Sequence, residues 1–195
     1  HPSLFNLDEA LNLINITKPK KAILTNLHTD LDYFELKKKL SEKNSVELNQ
    51  VFLGNGSNEI LDYIARVFLT SGRHAIYSRY CFAVYPLVVK ATGAEAIVAE
   101  ADQNLGHDLN NILSSFSPSV SVIFIANPNN PTGTYLSFRE VKNFLQKIDS
   151  SIIVVLDEAY FEYSKQKENN SRELRILNVS GPGAAAIPAS RGDVR

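Results

Sequence analysis

Two stretches of this chain are apolar almost without interruption: residues 120–126, VSVIFIA, and residues 152–156, IIVVL. Both are rich in β-branched residues, which suit a pleated strand. A strand with one wet face alternates apolar and polar residues, whereas a continuous apolar run fits a strand covered on both faces, as in parallel sheets. Between the two runs lies a helical stretch opened by Ser137, with Glu140 three residues later at capping-box spacing. Strand, helix and strand in this order argue for an α/β domain with right-handed crossovers.

The rest of the chain extends the alternation. Residues 31–43 read as a helix, with Leu36 and Leu40 four apart and lysines on the other face. A short strand is expected at Val51–Leu53. A helix follows, carrying Ile60, Leu61, Ile64, Ala65, Val67 and Phe68 up to about Thr70, and Ser71-Gly72 ends it. Ala75–Tyr77 and Ala96–Ala99 read as strands. Residues 82–91 and 108–115 read as helices, with Pro86 confined to a first turn or starting a new one. No internal repeat is visible.

Composition narrows the partners. The chain has 195 residues, 44% of them hydrophobic and 21% charged, enough apolar surface to offset ordering entropy over most of its length. A formal net charge of −1 provides neither a basic footprint for nucleic acid nor a polybasic membrane patch. No apolar run is long enough for a spanning helix, and the first residues lack the order of a signal peptide. The single cysteine, Cys81, rules out an intramolecular disulfide framework and fits a reducing, cytoplasmic compartment. His1, His28, His74 and His107 show no metal-ligand spacing, so no metal is expected. Methionine is absent and position 1 is His1, which marks the chain as an expected internal piece of a longer protein. From Ser171 onward arginine replaces lysine and the segment Gly181–Ala186 has no core-forming period, so a disordered or foreign tail is expected.

Three segments carry candidate chemistry. Gly54–Glu59 is a glycine-rich turn entering a helix, where unpaired backbone N–H groups and the helix dipole favour an anion such as phosphate. It matches neither the dinucleotide fingerprint nor a Walker loop, and a plain turn capped by Ser57 or Asn58 remains open. Asn127–Gly133, NPNNPTG, follows the first apolar run directly, at the strand end where open parallel sheets bind ligands. A rigid turn explains part of it, but two prolines and three asparagines exceed what a turn needs. Asp157-Glu158-Ala159-Tyr160 follows the second run. An acid there is costly unless partnered, and a cationic ring nitrogen, an N-terminal cap or a surface ion pair would each serve.

Together the segments LGNGSNEILDYI, FAVYP, GHDLNNIL, FIANPNNPTGT and VVLDEAYFEYS resemble the pyridoxal-phosphate aminotransferases of fold type I, and the histidinol-phosphate aminotransferase family in particular, in both order and spacing. The resemblance covers about residues 28–165. It implies a three-layer, mostly parallel sheet, incomplete in this chain. Residues 1–30 would belong to a small domain or dimer arm, 31–165 to part of the cofactor-binding large domain, and 166–195 to the atypical tail. It implies pyridoxal 5'-phosphate as cofactor, with Gly56, Ser57 and Asn58 at its phosphate and Phe82 stacked on its ring, where the family usually has tyrosine. Asn130 and Tyr160 would meet its phenolic oxygen, and Asp157 its protonated ring nitrogen. His28 stands where family members place a tyrosine that reaches the partner subunit's cofactor in a homodimer.

The family's Schiff-base lysine follows Asp-Glu-Ala-Tyr by a further strand. Here the only Ser-Lys, Ser164-Lys165, comes too soon and lacks the sequence that should follow it, so no catalytic residue is assigned and this chain alone is expected to be inactive. The parent reaction implied is transamination between L-histidinol phosphate and 2-oxoglutarate in histidine biosynthesis. A threonine-phosphate decarboxylase-like enzyme, another amino-acid aminotransferase, or a non-catalytic fragment are the alternatives.

Overall fold

The computed structural model describes residues 32–160 except Ser45, without the side chains of Lys43 and Asn44. The chain divides into two compact units, His1–Ile60 and Leu61–Arg195. In the first, α1 (Tyr33–Asn44) carries the Glu35–Lys39 ion pair of 2.7 Å along its surface, and a single 3-10 turn (Leu48–Gln50) follows. The strand expected at Val51–Leu53 does not form: residues 51–54 have no regular secondary structure, and Phe52 is exposed. Three residues of strand-forming type need a ladder to join, and these belong to none. Helix α2 (Ser57–Phe68) begins at the end of this unit.

In the second unit the elements run β1 (His74–Ser78), α3 (Val84–Ala91), β2 (Glu95–Ala99), α4 (Leu109–Ser114), β3 (Val120–Ala126), α5 (Phe138–Leu145) and β4 (Ile153–Asp157). The four strands form one sheet in the order β2-β1-β3-β4, and every pairing is parallel. Local sequence shapes the helix starts. Pro86 is the third residue of α3, inside the first turn, where a missing N–H leaves no helical bond unmade. The Asp108 side chain caps α4 by accepting from the amides of Asn110 and Asn111. The Ser137 hydroxyl accepts from the Glu140 amide, and the Glu140 carboxylate accepts from the Ser137 amide at 2.8 Å, closing the expected box at α5. Ser137→Ala should therefore lower stability by about 1 kcal/mol in chemical denaturation, with no change in cooperativity.

Successive strand residues point to opposite faces of a sheet. On one face Ile76, Ile123, Ile125 and Val154 form a core with Ile112 of α4 and Phe144 of α5. On the other, Phe124 stacks on Tyr85 of α3 at 5.0 Å between ring centroids. Helices thus cover both faces, which is why Val122–Ala126 is buried throughout and reads as unbroken apolar sequence.

The strand order reverses direction between β1 and β3. From β1 the chain steps outward to β2, then returns across β1 to β3 and proceeds the other way to β4. Ligand crevices of open parallel sheets lie at the carboxyl ends of the strands flanking such a switch point. Here the β1–β3 register ends at Ile76↔Ile123, whereas β1–β2 continues to Ser78↔Ala99 and β3–β4 to Ala126↔Asp157. The two central strands are unpaired with each other over their last residues. His107 bridges that interval: its Nδ1 lies 2.7 Å from Ser78 Oγ, and its Nε2 lies 2.8 Å from the carbonyl oxygen of Ala126. Because a carbonyl only accepts, Nε2 carries the proton, and the Ser78 hydroxyl donates to Nδ1.

Candidate cofactor site

The loops leaving β1, β3 and β4 carry the candidate residues of this unit. Asp157 is the last residue of β4, where the sheet register sets it beside Ala126. Its side chain is half-buried. One carboxylate oxygen accepts from the Tyr85 hydroxyl at 2.9 Å, and the other accepts from the Ala159 amide at 3.2 Å. Tyr85 has no exposed surface. Burial, reinforced by the neighbouring Asp157 charge, pushes its phenol far above the ordinary tyrosine range, so the hydroxyl keeps its proton. The Phe82 and Tyr85 rings form a T-shaped pair with centroids 5.8 Å apart, and Phe82 stays half-exposed.

The loop after β3 resolves why it holds three asparagines. Asn127 donates from Nδ2 to the Leu136 carbonyl and accepts from the Leu136 amide, both at 2.8 Å, which pins the two ends of the loop. Asn129 donates from Nδ2 to the Tyr80 carbonyl at 2.7 Å and to Thr132 Oγ1 at 2.8 Å. The first of these bonds ties the β3 loop to the segment leading from β1 to Phe82. Gly133, at φ 70, closes the turn by donating its amide to the Asn129 carbonyl. The turn thus needs Asn127 and Asn129. The remaining one, Asn130, directs its side-chain amide to the Tyr160 hydroxyl across 3.4 Å.

In the first unit the Gly54–Asn58 segment has its own geometry. Gly56 adopts φ 85, which an L side chain rarely adopts, and donates its amide to the Gly54 carbonyl at 2.9 Å. The Asn55 amide donates to the Glu59 carboxylate at 2.5 Å. Ser57 and Asn58 open α2 with exposed side chains. An anion here would be held by the first helical amides with Ser57 and Asn58, since Glu59 already takes the Asn55 amide.

These groups suit a flat, protonated heteroaromatic ring bearing one oxygen. Asp157 is an anion at a fixed position with lone pairs left over after two bonds. Asn130 and Tyr160 are two donors close enough to share one acceptor. Phe82 offers an apolar ring face. Pyridoxal phosphate has these properties, and the residues present fit it.

Cys81 lies half-buried beside Phe82, and burial pushes its thiol up to about 11, so it remains protonated. His28, Lys165 and the expected tail lie outside the described residues. Among the described residues no group of three or more His, Cys, Asp or Glu side chains could hold a metal ion, and no helix is long and apolar enough to cross a membrane. Sequence reasoning missed Tyr85, Asn129 and His107. Tyr85 lies three residues after Phe82, whose carbonyl, just ahead of α3, accepts from its amide, but nothing in the sequence names Asp157 as its partner.

Known proteins share both the sequence and the fold of this chain. The sequence profile of the family described as "Aminotransferase class I and II" matches residues 21–185. Histidinol-phosphate aminotransferase 2 of Methylococcus capsulatus is 48% identical over 150 residues, covering 74% of this chain and 40% of that protein. Histidinol-phosphate aminotransferase 2 of Nitrosospira multiformis is 51% identical over 138 residues, covering 71% of this chain and 35% of that protein. The crystal structure of histidinol-phosphate aminotransferase from Sinorhizobium meliloti in complex with pyridoxal-5'-phosphate superposes with a TM-score of 0.63 at 24% identity, over 67% of this chain and 35% of that one. The chain therefore spans about 40% of the length of the curated relatives it matches. With that match across most of its length, and with a parallel sheet whose switch-point loops carry the family's motifs, the chain belongs to the class I and II aminotransferases.

Proposed function

We propose that this chain supplies the ring-holding part of a pyridoxal-phosphate-dependent aminotransferase of the histidinol-phosphate type. The observation that carries the proposal is the constellation at the carboxyl ends of the strands: Asp157 held by Tyr85, and Asn130 directed at Tyr160. The substrate assignment, L-histidinol phosphate and 2-oxoglutarate, is supported by the names of the relatives that share 48–51% of their aligned residues. Gly56, Ser57 and Asn58 would hold the cofactor phosphate. A homodimer, with His28 reaching the partner's cofactor, and a cytoplasmic location complete the proposal.

When bound, the cofactor supplies an electron sink for the carbanion formed at the substrate's α-carbon. The chain's own residues set the conditions. Asp157 favours the protonated ring nitrogen by placing a carboxylate beside it. Asn130 and Tyr160 would each donate a hydrogen bond to the ring oxygen. Phe82 covers one face and excludes water from it. The chain assigns no residue to the proton transfer itself, because Lys165 lacks the sequence context of the family's lysine.

Pyridoxamine phosphate binding tests the cofactor part, since it requires no covalent anchor. Calorimetric titration should give saturable, one-site binding to the chain, and no binding would overturn the reading. A protein-linked absorbance band on adding pyridoxal phosphate, lost in Lys165→Ala, would overturn the exclusion of Lys165. Product analysis on a protein of the relatives' full length decides the substrate: histidinol phosphate formation from its keto precursor supports the assignment, and a decarboxylated product replaces it.

A further inference from the structure

We propose that Tyr85 is a positioning residue for the cofactor: its hydroxyl fixes the Asp157 carboxylate in the orientation that receives a protonated ring nitrogen. This rests on the ring–Asp157 pairing proposed above and assigns that pairing a second, buried partner. Asp157 ends a strand with its side chain only half-buried, so the strand alone does not lock its rotamer. The lock comes from two donors on opposite oxygens, the Tyr85 hydroxyl at 2.9 Å and the Ala159 amide at 3.2 Å. The amide belongs to the outgoing turn. Tyr85 belongs to α3 and cannot turn away, because it is fully buried, stacked on Phe124 at an interplanar angle of 17° and set against the Phe82 ring at 88°. A buried phenol also needs an acceptor, and Asp157 is the one it has.

The arrangement joins two contacts to one side chain. Tyr85 touches Phe82, the residue placed on the ring face, and Asp157, the residue placed at the ring nitrogen. A hydrogen bond to a charged acceptor is about twice as strong as one between neutral groups. The remaining lone pairs of the carboxylate are thereby left at a fixed place for one further donor.

The test separates orientation of the carboxylate from packing. Affinities of the full chain for pyridoxamine 5'-phosphate and for its 1-deaza analogue, whose ring carries carbon in place of nitrogen, are measured by calorimetry for wild type, Tyr85→Phe and Phe124→Leu. Tyr85→Phe keeps the ring and removes only the hydroxyl. It should weaken pyridoxamine phosphate binding about tenfold, the effect of one hydrogen bond to a charged group, and leave deaza-analogue binding within about twofold. Phe124→Leu loosens the stack and should weaken both ligands alike. Equal losses for both ligands in Tyr85→Phe, or no loss for either, would overturn the role of Tyr85. A wild-type chain that binds both ligands equally would instead overturn the Asp157–ring pairing on which the role rests. If Tyr85→Phe does not fold, Tyr85→Trp, which keeps a large buried ring with a differently placed donor, replaces it and should show the same selective loss.

Discussion

Asp157→Ala is expected to weaken pyridoxamine phosphate binding on the order of a hundredfold, while Glu158→Ala changes it by less than about threefold. The two acids are adjacent, so the contrast tests placement and not local charge. Asp157 is the strand's last residue and is held by Tyr85 and the Ala159 amide. Glu158 follows immediately after the strand, outside the ladder. Removing Asp157 also strands the buried Tyr85 hydroxyl, which adds a loss of stability of about 1–3 kcal/mol. Asp157→Asn separates these effects: it keeps an acceptor for Tyr85 and removes the charge, so stability should largely return while affinity does not. In a protein of the relatives' full length, the same order of losses should appear in kcat/KM. Equal losses at the two positions would refute the assignment.

The second large effect concerns His107, which is 5% exposed and bridges Ser78 and Ala126. His107→Ala leaves a buried hydroxyl and a buried carbonyl without their partner and opens a cavity, a loss of about 2–4 kcal/mol in chemical denaturation. Its pH dependence has a defined sign. Burial holds the imidazole below its ordinary value of 6.5, against the smaller raising effects of the Ala126 carbonyl and the Asp102 charge. The unfolded chain therefore binds the proton more readily than the folded one. The stability due to neutral His107 is complete above about pH 6.5 and declines as the pH falls below it, until the folded form also protonates. The difference in stability between wild type and His107→Ala should accordingly shrink from about pH 7.5 to about pH 5.5. A constant difference would show that His107 does not titrate differently on folding.

The sheet was legible because its physics is local. Runs such as 120–126 must be covered on both faces wherever they sit, and the Ser137–Glu140 box announces its helix within a single turn. The site was legible in part and by analogy: the motifs named Phe82, Asn130, Asp157 and Tyr160, and the second unit places these at the ends of its strands or in the loops that follow. What the sequence concealed are pairings between distant positions. Tyr85 and Asp157 are 72 residues apart, Asn129 and Tyr80 are 49 apart, and Ser78 and His107 are 29 apart. No periodicity records such contacts, because they depend on which strand lies next to which. The failed strand at 51–53 has the same origin, since strand-forming residues without a neighbouring ladder remain irregular.

The backbone register of β4 also works as a ruler. The Asn127 amide donates to the Asp157 carbonyl at 2.9 Å, so the loop bearing Asn130 and the strand tip bearing Asp157 are gauged against each other by the main chain. One residue inserted into β4 ahead of Leu156 would turn Leu156 to the face that Asp157 now occupies and send the acid to the opposite one. The reach of Asn130 and Asp157 toward a common ligand is therefore set by the length of the strand beneath them as well as by their own identity.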